Sequence, residues 1–367
     1  MSACDACLHR AWLLATLSGS LEAARGARRR IREVLALSDE ELVAALCTPQ
    51  EALALAGAAP APSALRATVT DAGLRAVCRH DVAYPSRLAD LRDAPAVLFA
   101  AGRPDRLTQL VGGDLEDGPR AVAIVGTRRA SADALQIARG LGRGLAAAGV
   151  CVVSGMALGV DAAAHEGALE GGGATVAVLA CGPDVPYPRS KTALHRRIAA
   201  AGCVVSEMPP GCPPMRWGFP ARNRIIAALG AMTIVVEAAE RSGSLITAEV
   251  AADLGREVAA VPGAVTSWRA AGANALLRDG ATLIRDARDV LDAVVGRGVA
   301  AGPPPPELSR PLQTVLEEVA GGRDTLAALT PRPADAAPAL AALTELELLG
   351  RLARAAGGRY VVVPVVH

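Results

Sequence analysis

The stretch AVAIVGTRRASADALQIARGLGRGLAAAGVCVVSGMALG, residues 121–159, decides the fold. It opens on five apolar residues with no polar alternation. A continuous apolar run of this kind marks a strand buried on both faces, as in a parallel sheet. Residues 131–148, SADALQIARGLGRGLAAA, carry helical spacing, and VCVVS (150–154) repeats the buried-strand pattern. Strand, helix, strand is the unit of a doubly wound α/β fold.

The pattern continues outward. ATVAVLA (174–180), CVVS (203–206), MTIVVE (232–237), VAAV (258–261) and ATLI (281–284) read as further buried strands, with helical segments such as SLITAEVAADLG between them. Upstream, AWLLATL and DEELVAALC have helical spacing, and Ser38 is placed to cap the second. APAPS (59–63) reads as a loop, and residues 75–119 as a flap on the sheet domain. PPPP (303–306) is a semi-rigid spacer. After it come short helices and two strands joined at Gly357-Gly358. The expected division is a small helical, SAM-like domain (1–70), an extended Rossmann-like domain (71–295), a Pro-rich linker (296–310) and a winged-helix domain (311–367).

Composition bounds the rest. The chain has 367 residues, 51% of them hydrophobic, enough for a large core and more than one domain. Its formal net charge is +1, so any acidic partner must be met by local clusters. Lys191 is the single lysine. Eight cysteines in a chain this long do not make a disulfide scaffold, and the N-terminal MSACDACLHR lacks the apolar run of a signal peptide. No run reads as a membrane span, and a reduced, cytoplasmic setting is the simplest expectation. Cys4, Cys7 and His9 form half of a zinc pattern, with Cys47, or Cys78 and His80, able to complete it. The second half lacks paired spacing, so the reading adopted is helix-start cysteines with no metal.

In an open parallel sheet, ligands bind beyond the carboxyl ends of the strands. Small residues stand at almost every exit here: Gly126-Thr127-Arg128-Arg129, Ser154-Gly155, Cys181-Gly182, and Ser242-Gly243-Ser244. Several of these turns lead into helices, whose free N–H groups attract anions. Taken alone, each is equally a tight turn. Cations cluster on the same edge: Arg128 and Arg129 after the first strand, Arg189 and Lys191 after the third, Arg216, Arg222 and Arg224 before the fifth.

GCPPMRWGFPARNRIIAAL (211–229) sets Trp217 and Phe219 among those last three arginines, in a chain only 2% aromatic. Aromatic faces stack unpaired bases while arginines hold the backbone, which suits single-stranded nucleic acid. The alternative is that the rings plug the core beneath a loop, and for Phe219 that alternative is preferred. No G-x-x-x-x-G-K-[ST] loop, G-x-G-x-x-G, H-E-x-x-H or G-x-S-x-G occurs, so an ATP motor or a standard dinucleotide site is not expected, and no cofactor is implied. Asp161 and His165, four apart, could with Ser154 suggest acid–base chemistry; a helix-start carboxylate and a packing histidine is the plainer reading.

IVGTRRAS, VVSGMALGVDAAAHEGAL, CGPDVPYP, SEMPPGCPPMRWGFPARNRIIAAL, VVEAAERSGSLITAEVAADLGREVAAVPG and GANALLRDGA together resemble the DNA processing protein A (DprA/Smf) family, over roughly residues 80–290. The resemblance implies a cytoplasmic, non-enzymatic homodimer. It would bind single-stranded DNA, protect incoming strands during natural transformation and load RecA recombinase onto them. It also implies DNA contacts from Arg128 of a G-[ST]-R motif, from Lys191 after Y-P, and from the F-P-x-R-N-R segment at Phe219, Arg222, Asn223 and Arg224. Lys191, Pro183 and Ala228 depart from the residues commonest there. With the strand-exit loops, the candidate DNA-binding set is Gly126, Thr127, Arg128, Ser154, Gly155, Lys191, Phe219, Arg222, Asn223, Arg224, Ser242 and Gly243, with no catalytic residue. A second reading is a nucleotide-binding enzyme that hydrolyses a nucleoside monophosphate. The region comparable to the P-G-G-x-G-T-x-x-E motif of such enzymes is EAAERSGSLITAE, without the paired glycines. A third possibility is that the C-terminal domain, with Arg310, Arg323, Arg332, Arg351, Arg354 and Arg359 but also many acids, binds duplex DNA; a protein-contact role fits the run equally.

Overall fold

A computed structural model describes residues 3–24, 30–112, 121–294, 308–330, 332, 336–349, 351–355 and 357–362. The Pro-rich spacer at 303–306 lies outside the described residues.

Six helices come first: α1 (Asp5–Thr16), α2 (Ser18–Ala24), α3 (Arg30–Leu35), α4 (Asp39–Leu46), α5 (Pro49–Ala58) and α6 (Pro62–Asp71). Ser38 caps α4 as its position suggests: its hydroxyl accepts from the Glu41 N–H while Glu41 accepts from the Ser38 N–H. APAPS is only partly a loop, because Pro62 opens α6, where a proline at the first helical position loses no hydrogen bond. Next come β1 (Arg75–Cys78), β2 (Val97–Gly102), α7 (Leu107–Val111), β3 (Ala121–Val125), α8 (Ala132–Ala147), β4 (Cys151–Ser154), α9 (Val160–Glu170), β5 (Thr175–Val178), α10 (Thr192–Ala201) and β6 (Cys203–Ser206). Then follow α11 (Gly218–Leu229), β7 (Met232–Val235), α12 (Gly243–Asp253), β8 (Glu257–Ala260), α13 (Ala271–Arg278), β9 (Thr282–Leu283) and α14 (Ala287–Val294).

The nine strands make one sheet in the order β1-β2-β6-β5-β4-β3-β7-β8-β9. From β6 to β9 every pairing is parallel. All seven runs read as strands in the sequence therefore lie in a Rossmann-like, mostly parallel sheet. The expected flap is not an appendage: β1 and β2 extend the same sheet by antiparallel pairing, β2 against β6. β3 shows why its sequence lacks alternation. Ala121, Ala123 and Val125 face one core and Val122 and Ile124 the other, all five buried.

The N-terminal helices share cores with the sheet. Leu13, Leu14, Leu21 and Leu42 pack with Met208, Trp217 and Ala221. Cys7, Leu8 and Ala11 pack with Ala76, Val97 and Phe99. At the C-terminus, α15 (Arg310–Ala320), α16 (Leu326–Leu329) and α17 (Ala336–Leu348) precede an antiparallel hairpin of β10 (Leu352–Ala355) and β11 (Arg359–Val362). Gly357 and Gly358 turn it at φ 78° and 73°, a conformation that favours glycine. This unit has its own core, with Leu312, Leu343, Leu346 and Tyr360. Among the described residues no helix is long and apolar enough to cross a membrane.

Candidate nucleic-acid interface

The chain runs from β3 outward to β6 on one side and returns to place β7 on the other side of β3. This reversal opens a crevice beyond the carboxyl ends of the two strands, the usual ligand position in such sheets. The crevice has a volume of about 560 Å³. Gly126, Thr127 and Arg128 form one wall, Arg216, Phe219, Arg222 and Asn223 a second, and Ser242, Gly243, Ser244 and Thr247 a third.

The charges are placed in two tiers. Arg128 and Arg216 are exposed at the mouth, whereas Arg222 is 5% exposed at the base. Arg222 packs against the backbone of Gly155, where a Cβ would overlap its guanidinium. It donates to the Val178 carbonyl (2.9 Å), and among the described residues its Nε has no hydrogen-bond partner. Burial lowers the Arg222 pKa, with the charge of Asp161 opposing the shift. Asp161, also in the wall, accepts from the Gly155 N–H (3.2 Å), and burial raises its carboxyl pKa while Arg222 opposes. Thr247 Oγ1 is a second buried polar atom here without a partner among the described residues. A buried group left unpaired costs about 1–3 kcal/mol, which a ligand hydrogen bond could recover.

Phe219 is half-buried, not a core plug. The Arg128 guanidinium lies 4.9 Å from its ring centroid, and Tyr187 lies 5.7 Å away on a tilted plane. Trp217 takes the core role instead, fully buried among the N-terminal helices. Ser242 caps α12 by accepting from the Ser244 N–H, so that the helix N-terminus opens on the crevice. Asn223 donates to the Gly243 carbonyl (3.2 Å) and ties two walls together.

Arg128 also borders a neighbouring groove of about 700 Å³ between α8, α9 and the C-terminal hairpin. Six cations line it (Arg128, Arg129, Arg139, Arg143, Lys191 and Arg354), against the carboxylates Glu166 and Glu170. Lys191 Nζ donates to Glu166 (2.9 Å). Burial raises the Glu166 pKa, but Lys191 and Arg139 outweigh it and leave the carboxyl lowered.

The sequence model of the family DNA recombination-mediator protein A matches residues 75–295, all of the sheet and its crevice. The chain belongs to that family. A Mycobacterium tuberculosis relative is 49% identical over 212 residues, 58% of this chain and 52% of its own length. The match thus spans about half of that relative. The X-ray structure of DNA processing protein A from Streptococcus pneumoniae superposes with a TM-score of 0.62 at 30% identity, covering 80% of this chain and 99% of that one. A Helicobacter pylori DNA processing protein A, described for its single-stranded DNA binding mode, superposes with a TM-score of 0.52 at 31% identity, over 60% of this chain and 94% of its own.

Placed on this recombination-mediator fold, the expected residues divide. Gly126, Thr127, Arg128, Phe219, Arg222, Asn223, Ser242 and Gly243 meet in the crevice. Gly155 lies beneath it against Arg222, and Lys191 stands in the adjoining groove. Two do not belong. Ser154 is fully buried, its hydroxyl donating to the Ile124 carbonyl (2.6 Å). Arg224 is 1% exposed and grips Glu207 with both Nη atoms (2.8 and 2.7 Å), while its Nε pairs with Asp93 (3.0 Å). It joins parts of the fold on the far side of α11. Arg216, Ser244 and Thr247 enter the site without having been singled out as binding residues; Arg216 could have been, by its place beside Phe219. Tyr187 stands outside the crevice lining but extends the aromatic surface from Phe219. Ser154, Asp161 and His165 form no triad: His165 Nδ1 meets Thr175 Oγ1 (2.8 Å), and Thr175 in turn donates to the Val152 carbonyl (2.6 Å).

Proposed function

We propose that this protein binds single-stranded DNA in the switch-point crevice and protects incoming strands. On this reading it loads RecA recombinase onto them during natural transformation, and it works in the cytoplasm as a homodimer without enzymatic activity. One observation carries the reading: a half-exposed aromatic ring, stacked with Arg128, beside a crevice that holds Arg216 and Arg222 and the N-terminus of α12. Ring faces accept unpaired bases of any sequence, and guanidiniums and helix N–H groups hold phosphates. The groove toward Lys191 supplies further cations for a strand leaving the crevice.

RecA loading and dimerisation rest on family membership, and sedimentation with and without RecA on oligo-dT checks both. A winged-helix identity for the C-terminal unit fits its three helices and hairpin. The test of binding is a fluorescence-anisotropy titration of labelled oligo-dT and a matched duplex at two salt concentrations, with wild type and Arg128→Ala. Tighter single-strand binding, a steep salt dependence and a shallower slope in the mutant are expected. For single strands each lost phosphate contact lowers the slope of log K against log salt by about 0.7. Equal affinity for duplex overturns the reading, and release of free base from nucleoside monophosphates overturns its non-enzymatic part.

A further inference from the structure

The sequence half-motif Cys4, Cys7 and His9 finds its complement in the fold, but not through His9, whose ring lies 5.3 Å from that of Trp12. Cys4 is the N-cap of α1, and Cys7 lies one turn in, on the same side. Opposite them, Cys78 ends β1 and His80 stands two residues beyond, in the turn that follows. One potential ligand atom from each of the four residues lies within 4.8 Å of all the others.

We propose that Cys4, Cys7, Cys78 and His80 form a tetrahedral zinc site that fastens the start of α1 to the edge strand of the sheet. The spacing carries the assignment. Zinc bonds of about 2.3 Å to sulfur and about 2.0–2.1 Å to nitrogen, at tetrahedral angles, separate a sulfur from a nitrogen ligand by about 3.6 Å. His80 Nδ1 lies 3.5 Å from Cys4 Sγ and 3.4 Å from Cys7 Sγ. A disulfide between Cys4 and Cys7 would give the imidazole no reason to sit equidistant from both sulfurs. The Cys4 N–H donates to Cys78 Sγ (3.5 Å), the kind of outer-shell contact that steadies a metal-bound thiolate. The free N–H groups of α1 favour negative sulfur at its start. Three thiolates and one imidazole are soft enough to select zinc over magnesium or calcium. Four protein ligands leave no open position, so the site is structural.

The ligands come from two segments more than 70 residues apart in the chain, so metal binding would close a long loop at the seam between the N-terminal helices and the sheet. Cys7 and Cys78 are buried at 2% and 3% exposure, while His80 faces solvent and gives the ion an entry path.

The test uses the full chain, purified reduced and stripped of metal, titrated with Zn²⁺ alone and with Co²⁺ alone. One equivalent of zinc per chain is expected, together with a cobalt spectrum that has intense visible bands of tetrahedral geometry and a thiolate charge-transfer band. His9→Ala keeps both, whereas Cys78→Ser and His80→Ala weaken zinc binding at least tenfold. If either of those variants fails to fold, the wild-type cobalt spectrum still decides. Substoichiometric zinc, an octahedral cobalt spectrum, equal loss in His9→Ala, or a Cys4–Cys7 disulfide that persists under reducing conditions overturns the proposal.

Discussion

Phe219 and Arg128 are coupled but make separable contributions. On the proposed reading the ring would offer a face to a base and the guanidinium charge to a phosphate; the guanidinium already holds that ring by a cation–π contact. Phe219→Ala should weaken oligo-dT binding by about 1–3 kcal/mol, roughly five- to 150-fold, with the salt slope unchanged, because a ring neutralises no phosphate. A change in slope in that mutant would mean the loss was electrostatic. His165 marks a different kind of residue. Complete burial holds its pKa near 3, well below the usual value of 6.5. Between those pH values the unfolded chain binds a proton that the folded chain does not, so stability present above about pH 6.5 is lost as pH falls toward 3. Asp161, raised by burial, pulls the opposite way in the acid range. The discriminating measurement is therefore the difference in urea midpoint between wild type and His165→Gln from pH 7 to pH 4.5. The midpoint difference, and with it the difference in unfolding free energy, should shrink as pH falls, the latter by at most about 1.4 kcal/mol per pH unit.

At the scale of the element, α11 and the residue before it explain both what the sequence disclosed and what it hid. Two residues of a helix two apart point about 200° from each other. Trp217, Ala221 and Arg224, spaced i, i+4, i+7, share the face turned to the core and to Glu207 and Asp93. Phe219, Arg222, Asn223 and Ile226, spaced i, i+3, i+4, i+7, face the crevice. The composition of FPARNR reveals a basic aromatic segment, and a helix begun only at Asn223 leaves Arg222 and Arg224 together at its N-terminal end; the helix already begins at Gly218 and turns the two apart. The glycine- and serine-rich strand exits were legible because Gly126 and Ser242-Gly243 follow buried strands, whereas Ser154 was assigned by position alone. Arg224→Ala should leave the buried Glu207 carboxylate uncompensated, with Asp93 held by Arg32 alone, and cost about 3–5 kcal/mol, read as a lower urea midpoint. Protein that remains folded should bind oligo-dT nearly as wild type does. A large affinity loss in that folded fraction would return Arg224 to the DNA track.

For the whole molecule, β3 to β7 were visible because a parallel strand buried on both faces needs an unbroken apolar run; β9, read as a buried strand too, is an edge strand with Leu283 49% exposed. β1 and β2 escaped because they join by antiparallel pairing from a segment rich in turns, although β2, at six residues, is no shorter than the strands that were seen. The seam near residue 70 looks like a domain boundary in the sequence, yet Trp217 lies among Leu13, Leu21 and Leu42, and its backbone N–H donates to Glu22 (2.9 Å). Arg32 also bonds to Asp93 (3.3 Å), beside the Arg224 cluster. Deleting residues 1–70 should therefore expose that core, lowering the unfolding midpoint and speeding proteolysis of residues 207–229. An unchanged midpoint would show that the helices fold apart from the sheet.

The central claim is that a single strand lies over Phe219 in the crevice where β3 and β7 diverge. Photocrosslinking oligo-dT that carries 5-iododeoxyuridine to the full chain, followed by peptide mapping, tests it directly. The account predicts crosslinks in the segments around Phe219 and Tyr187, lost in Phe219→Ala and weakened in Arg128→Ala. Crosslinks confined to the N-terminal helices or to the C-terminal hairpin, with none at the crevice, would contradict it.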